Sequence, residues 1–229
     1  MNIYDLRGPA IPQRITLTLA IAACVVVEWW LLFGGGIAVT GARFGHLWLP
    51  GDPMRRLALA LALSIYFLRL LLTQFVFLKR AIRWSEVATI AIWVACIYLL
   101  LALAGGTNSR PPGVAFALGA VLFLLGSWMN SWAEYQRHRW KRRPENRGRL
   151  YTAGLFRLCR HPNYFGDLLS FSGLALIAGR WITGIIPAIM LLGFVFVNIP
   201  MLDAHLAGHY GEDFAAYARR TRKLIPFVY

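Results

Sequence analysis

Long apolar runs alternate along the chain with short polar ones. Apolar positions fill Ile15 to Phe33, Leu57 to Leu78, Val87 to Ala104, Val114 to about Trp132, Tyr164 to Ala178 and Ile182 to Met201. Most of these runs approach the ~20 residues a helix needs to cross the hydrocarbon core. Lipid offers the backbone no hydrogen bonds, so such runs must be helices or closed barrels, and the alternation of a barrel strand is absent. Breakers separate them: Gly34-Gly35-Gly36, then Gly105-Gly106 with Pro111-Pro112, then Gly179-Arg180. Pro187 and Pro200 fall inside or at the edge of the last run. The fourth helix is expected to continue past the membrane to about Arg139. The tail from Asp203 carries apolar residues at amphipathic-helix spacing before Pro226. The pattern predicts an all-α polytopic membrane bundle of six or seven transmembrane helices, with a cytoplasmic amphipathic helix near the C-terminus.

Composition agrees with that reading. The 229 residues are 58% hydrophobic and only 15% charged, against roughly 25% charged in a soluble domain. The net charge of +14 does not point to nucleic acid, because the cations cluster beside apolar runs, where they report orientation and lipid contact. Six spans put the loops after the second and fourth on the same side as both termini. That side collects Lys79, Arg80, Arg83, the basic loop after Trp132, and Arg219, Arg220, Arg222 and Lys223, so it is read as cytoplasmic. Arg55 and Arg56 are the exceptions. A seventh crossing within the first loop would reverse the N-terminus alone. Cys24, Cys96 and Cys159 have neither disulfide nor metal-ligand spacing, and no metal site is expected. The first run lacks a small-residue cleavage site and reads as a retained helix.

Ionisable groups inside apolar runs are costly and mark partners or cavities. Glu28 has two readings. It is either an interfacial carboxylate leaning toward headgroups beside Trp29 and Trp30, or a carboxyl in a cavity, able to donate a proton. Arg69 cannot shed its charge. It either pairs with Glu28 or shares a polar pocket with Tyr66, three residues earlier on nearly the same face.

The densest chemistry lies between Met129 and Asp167, where nine of the 24 Lys and Arg residues fall between Arg137 and Arg160. Asn130, Glu134 and His138 follow one helix row, with Arg137 and Lys141 on the next. Carboxylate and amide suit ribose or amide groups; guanidinium forks suit phosphate. Further on, Arg160-His161-Pro162 leads into Asn163 and Asp167, one helical turn apart. Pro162 fits a first helical turn, whose N-terminus attracts anions. For each residue alone, a solvated polar face is the plain alternative.

These residues resemble the membrane reductases of the steroid 5α-reductase type, their bacterial relatives of unknown function and, more distantly, sterol Δ14-reductases. The likeness rests on Asn130-x-x-x-Glu134-Tyr135, the basic run, Gly154-Leu155-Phe156, Asn163-Tyr164-Phe165-Gly166-Asp167, and the ending R-K-L-I-P-F-V-Y. Tyr66-Phe67-x-Arg69 resembles the helix that bears the family's catalytic tyrosine. The resemblance implies NADPH-dependent reduction of a double bond conjugated to a carbonyl, in an apolar substrate entering from the bilayer. It implies one membrane domain over 1–229, with substrate-side helices in 1–112 and a cofactor-binding half in 113–229. Asn130, Glu134, Arg149, Asn163, Asp167 and Tyr210 would hold NADPH, with Arg137 and Lys141 on phosphates and Arg160 and His161 beside them. Tyr66 would donate to the carbonyl oxygen. The family assists it with a Gln-Glu pair that this chain lacks; Glu28 is its one early-helix carboxyl. Beyond substrate and membrane lipids, no obligate protein partner is evident, and a bacterial inner membrane is the expected location. The R-H-P-x-Y-x-G element is also similar to isoprenylcysteine carboxyl and phospholipid methyltransferases, which bind S-adenosylmethionine. That gives an alternative activity, with a non-catalytic lipid-binding protein as a third.

Overall fold

The computed structural model describes Gly8 and residues 10–229. Its helices are α1 Ile11–Phe33, α2 Gly36–Arg43, α3 Pro53–Leu72, α4 Trp84–Gly106, α5 Val114–Lys141, α6 Pro162–Ala178, α7 Ile185–Gly193, α8 Ile199–Tyr210 and α9 Glu212–Arg220. No strand occurs among the described residues, and the all-α expectation holds. Among the described residues, five helical stretches are long and apolar enough to cross a membrane: Ile11–Phe33, Pro53–Phe77, Trp84–Gly106, Val114–Lys141 and Trp181–Tyr210. The expected sixth and seventh crossings are not confirmed. α6 has 17 residues, about 26 Å of helix at 1.5 Å per residue, against a core of about 30 Å. In the first loop only the eight-residue α2 forms.

Local chemistry sets the helix ends. Asp52 caps α3 by accepting from the Arg55 amide at 2.8 Å, with Pro53 in the first turn, where its missing N–H costs nothing. At the other end α3 widens into a π-helical turn, Thr73–Phe77. A second π turn, Phe194–Asn198, joins α7 to α8 immediately before Pro200. Pro200 cannot donate to a preceding carbonyl, and its ring crowds the turn before it, so local widening lets one apolar helix continue.

The chain divides into two compact units, residues 1–123 with 172–186, and residues 124–171 with 187–229. In the first, α1 lies antiparallel to α3: Trp29 donates to Ser64 Oγ at 3.1 Å, and Arg14 to the Leu78 and Arg80 carbonyls at 3.0 Å each. Leu17, Ile21, Leu32, Leu59, Leu63 and Leu101 make its core. Arg55 and Arg56 donate to backbone carbonyls of α6 and α1, at Ile177 and Leu32. Asn108 caps α6 at Ala178, at 2.9 Å. Both arginines thus sit on helix C-terminal ends, where the helix dipole favours cations.

In the second unit α5 and α6 approach backbone to backbone. A Cβ on Gly126 would meet the Gly166 carbonyl oxygen at 2.4 Å and the Ser170 nitrogen at 2.5 Å. That contact sets the register from which the polar residues at the basic end of both helices face one another.

Candidate active site

Past the Gly126 crossing, α5 and α6 bring their polar residues together. The Asn130 amide donates to the Asn163 carbonyl at 3.0 Å, and the Asn163 amide donates to Glu134 Oε1 at 3.0 Å. Arg137 donates to the other Glu134 oxygen from one turn away. Asn130 and Glu134 are buried, while Arg137 keeps 38% of its side chain exposed. A buried carboxylate bound by one amide and one guanidinium is fixed in direction while retaining acceptor capacity. Asp167 lies half-buried one turn beyond Asn163 on α6, and His138 half-buried one turn beyond Glu134 on α5.

Lys141, at the end of α5, donates to the Tyr210 hydroxyl at 2.8 Å. Arg149 is exposed in the loop that follows. Along that loop Gly154 takes φ +59°, and a Cβ there would strike Gln136. Gln136 in turn accepts from the Leu155 amide at 3.2 Å. The glycine lets the loop fold back onto α5.

Arg160 and His161 are committed elsewhere. Arg160 donates to Asp203 at 2.8 Å and to the Ala218 and Thr221 carbonyls at 3.1 Å each. His161 contacts the other Asp203 oxygen at 2.9 Å and stacks on Tyr164, which stacks on Phe194. Both residues brace α8 and α9 against the start of α6. The sequence reading missed Asp203, although a lone acid closing an otherwise uncharged run was a usable signal. Beside this clamp, burial pushes the Cys159 thiol up to about 12 and raises the Tyr217 phenol. The Tyr217 hydroxyl donates to the Phe156 carbonyl at 2.6 Å.

A second polar cluster lies in the first unit. Glu28 is 1% exposed, and neither carboxyl oxygen has a hydrogen-bond partner among the described residues. Both the interfacial reading and a Glu28–Arg69 ion pair are thereby set aside. Glu28 lines a cavity of about 180 Å³ with Ala23, Cys24, Val27, Leu31, Ala95, Tyr98 and Leu99. The Tyr98 hydroxyl donates to the Leu63 carbonyl at 2.7 Å. Tyr66 is buried, with the Arg69 guanidinium 5.0 Å from its ring centre. One turn after Arg69, Gln74 is buried with both amide atoms unpartnered among the described residues.

A chain whose described residues form no strand, five membrane-length apolar helices and two buried polar clusters is an integral, multi-pass membrane protein. It belongs to the family described as protein of unknown function (DUF1295), whose model matches residues 58–221. The chain is similar to enzymes of two kinds. It is 38% identical to the probable O-methyltransferase ustE of Ustilaginoidea virens over 44% of this chain and 36% of that protein. It is 31% identical to protein-S-isoprenylcysteine O-methyltransferase B of Arabidopsis thaliana over 40% and 46%. It is 29% identical to human 3-oxo-5-alpha-steroid 4-dehydrogenase 2 over 51% and 44%. The chain spans less than half the length of these curated relatives. The 5α-reductase resemblance read from the sequence therefore holds, beside a methyltransferase one.

Proposed function

We propose that the protein is an NADPH-dependent membrane reductase that saturates a carbon–carbon double bond conjugated to a carbonyl in an apolar, steroid-like or isoprenoid molecule. The observation that carries this reading is the Glu28 carboxyl, fully buried and without a hydrogen-bond partner among the described residues, on the wall of an apolar cavity. Reduction of an enone requires a placed proton donor in an apolar surround, whereas methyl transfer to a lipid acceptor does not.

The second unit's donor set fits a phosphorylated dinucleotide. Arg149, Lys141 and the exposed part of Arg137 suit phosphates. The Glu134 carboxylate, held by Asn163 and Arg137, suits ribose hydroxyls or an amide. Asn130, Asp167 and Tyr210 complete the proposed set. Arg160 and His161 keep the start of α6 in place rather than reaching outward. When bound, NADPH would supply a hydride for the β carbon. Tyr66 holds its hydroxyl proton toward the carbonyl oxygen, where enolate charge develops. A proton then returns to the α carbon, so the product gains two hydrogens and the carbonyl is restored. Glu28 is the proton reservoir of that cavity, and the apolar wall around it excludes water.

The substrate enters from the bilayer of a bacterial inner membrane, and the basic loop faces the cytoplasm, an orientation that the distribution of cations supports. Neither a nucleic acid nor an obligate protein partner is part of this reading. The second reading, an S-adenosylmethionine-dependent membrane methyltransferase, is supported by the fungal and plant relatives. Mass spectrometry of small molecules retained by the detergent-purified protein, with thermal shifts, separates the two. Retained NADP(H), or stabilisation by NADPH alone, is expected. Retained S-adenosyl compounds would overturn the reductase reading.

A further inference from the structure

Between Leu224 and Tyr229 the backbone closes on itself. The Leu224 and Ile225 amides donate to the Tyr229 carbonyl at 2.6 and 2.8 Å, and the Val228 and Tyr229 amides to the Ile225 carbonyl at 3.1 and 3.0 Å. The closure holds Phe227 at φ +65°, a left-handed conformation that bulky residues rarely adopt. That strain brings no internal packing: Phe227 is 80% exposed and Val228 72%. An aromatic ring held outward in a strained backbone is presented to something outside the chain.

The surroundings of the turn say what that is. Arg219 and Arg220 end α9, and Arg222 and Lys223 follow; all four are exposed. The acids of this element, Glu212 and Asp213, lie in the first turn of α9, at its opposite end. The height of the turn is fixed as well. The Arg160 amide donates to the Arg222 carbonyl at 2.7 Å, and the His161 amide to the Lys223 carbonyl at 3.1 Å. Pro162 then opens the apolar helix α6. The turn is bonded to the residues at which the chain passes from a basic loop into an apolar helix. Aromatic residues with flanking cations at that level match an anionic bilayer surface.

We propose that the Leu224–Tyr229 turn docks on the anionic surface of the bilayer that the chain spans. Phe227 and Val228 enter among the acyl chains, and Arg219, Arg220, Arg222 and Lys223 lie on headgroup phosphates. Through the Arg222 and Lys223 carbonyls, the docked turn steadies Arg160 and His161, and with them the first turn of α6 that carries Asn163. Anionic lipid is thereby a structural ligand of the polar cluster in the second unit, whatever reaction that cluster serves.

The test uses Val228→Cys carrying a nitroxide, with Cys24 and Cys96 changed to alanine, in nanodiscs of phosphatidylcholine alone or mixed with phosphatidylglycerol. With phosphatidylglycerol, dissolved oxygen should relax the label more than an aqueous nickel chelate does. That preference should shift toward the chelate in phosphatidylcholine alone, at high salt, or when the four cations are changed to glutamine. Phe227→Gly, which relieves the backbone without unfolding the turn, should shift it the same way while the melting temperature is kept. A label equally open to the chelate in both lipid mixtures would overturn the proposal. So would a label shielded from both agents, because protein rather than lipid would then cover the turn.

Discussion

The side-chain amide of Asn163 donates to the Glu134 carboxylate at 3.0 Å, joining α6 to α5 across 29 residues of sequence. Arg137 holds the other carboxylate oxygen, so Glu134 keeps its position only while both donors remain. Hydrogen bonds to charged groups are worth about 1.5–3 kcal/mol. Asn163→Ala should therefore weaken NADPH binding by about ten- to a hundredfold, read by calorimetric titration in detergent. Asn163→Asp should be worse, because it sets a second carboxylate against Glu134. Unchanged affinity in both variants would remove this pair from the cofactor site.

Much of this pairing was legible in the chain. Asn130 and Glu134 share a row four residues apart, and Pro162 announced the helix on which Asn163 lies. Periodicity also located the first five apolar helices to within a few residues, since each must bury its backbone polar groups in its own turns, whereas the last stretch continues past Met201 to Tyr210. What stayed hidden required knowledge of long-range partners. Arg55 and Arg56 looked like exceptions to the charge asymmetry, yet they bind helix-end carbonyls 122 and 24 residues away. Arg160 and His161 read as ligand contacts, and only the fold brings Asp203 to them from about 40 residues downstream. The π turn at Thr73–Phe77 follows no local breaker that the chain displays.

Asp203 is the most sensitive of these hidden residues. Its carboxylate is half-buried, while the Arg160 side chain is only 7% exposed. Asp203→Ala would leave that guanidinium without its counter-charge, a change that costs about 3–5 kcal/mol when a buried pair is broken. The melting temperature should fall by many degrees, and Asp203→Asn, which keeps one acceptor for Arg160, should fall less. If Asp203→Ala melts like the parent protein, the clamp does not hold α8 and α9 in place.

The crossing of α5 and α6 tolerates no added atoms. A methyl group at Gly126 would lie within 2.7 Å of the Gly166 carbonyl and of both Ser170 nitrogen and Oγ, and backbone cannot swing aside as a flexible side chain can. Gly126→Ala should destabilise by about 1–3 kcal/mol, as overpacking does in close-packed interiors. It should also weaken cofactor binding, because the same crossing sets the distance between Asn130 and Asn163. Gly113→Ala, with nothing within 4 Å of its added carbon, serves as the neutral control. Thermal melts of the two variants side by side check both statements.

On the proposed reading Glu28 sets stability against function. A buried carboxyl without a hydrogen bond is an expense that folding alone would not retain. Replacing it with leucine removes an acidic side chain from the apolar interior, where it has no hydrogen bond to lose among the described residues, which should stabilise the protein. Glu28→Leu is therefore expected to melt higher than the parent while losing turnover, and Glu28→Gln to melt closer to the parent with turnover strongly reduced. Tyr66→Phe separates the two effects: turnover should vanish while NADPH affinity remains nearly unchanged, because in the proposed reaction the phenol serves the substrate and not the cofactor. The measurements are melting curves and single-turnover oxidation of NADPH with an apolar enone. A Glu28→Leu variant that is both less stable and fully active would mean the carboxyl is bonded within the fold and has no part in the reaction.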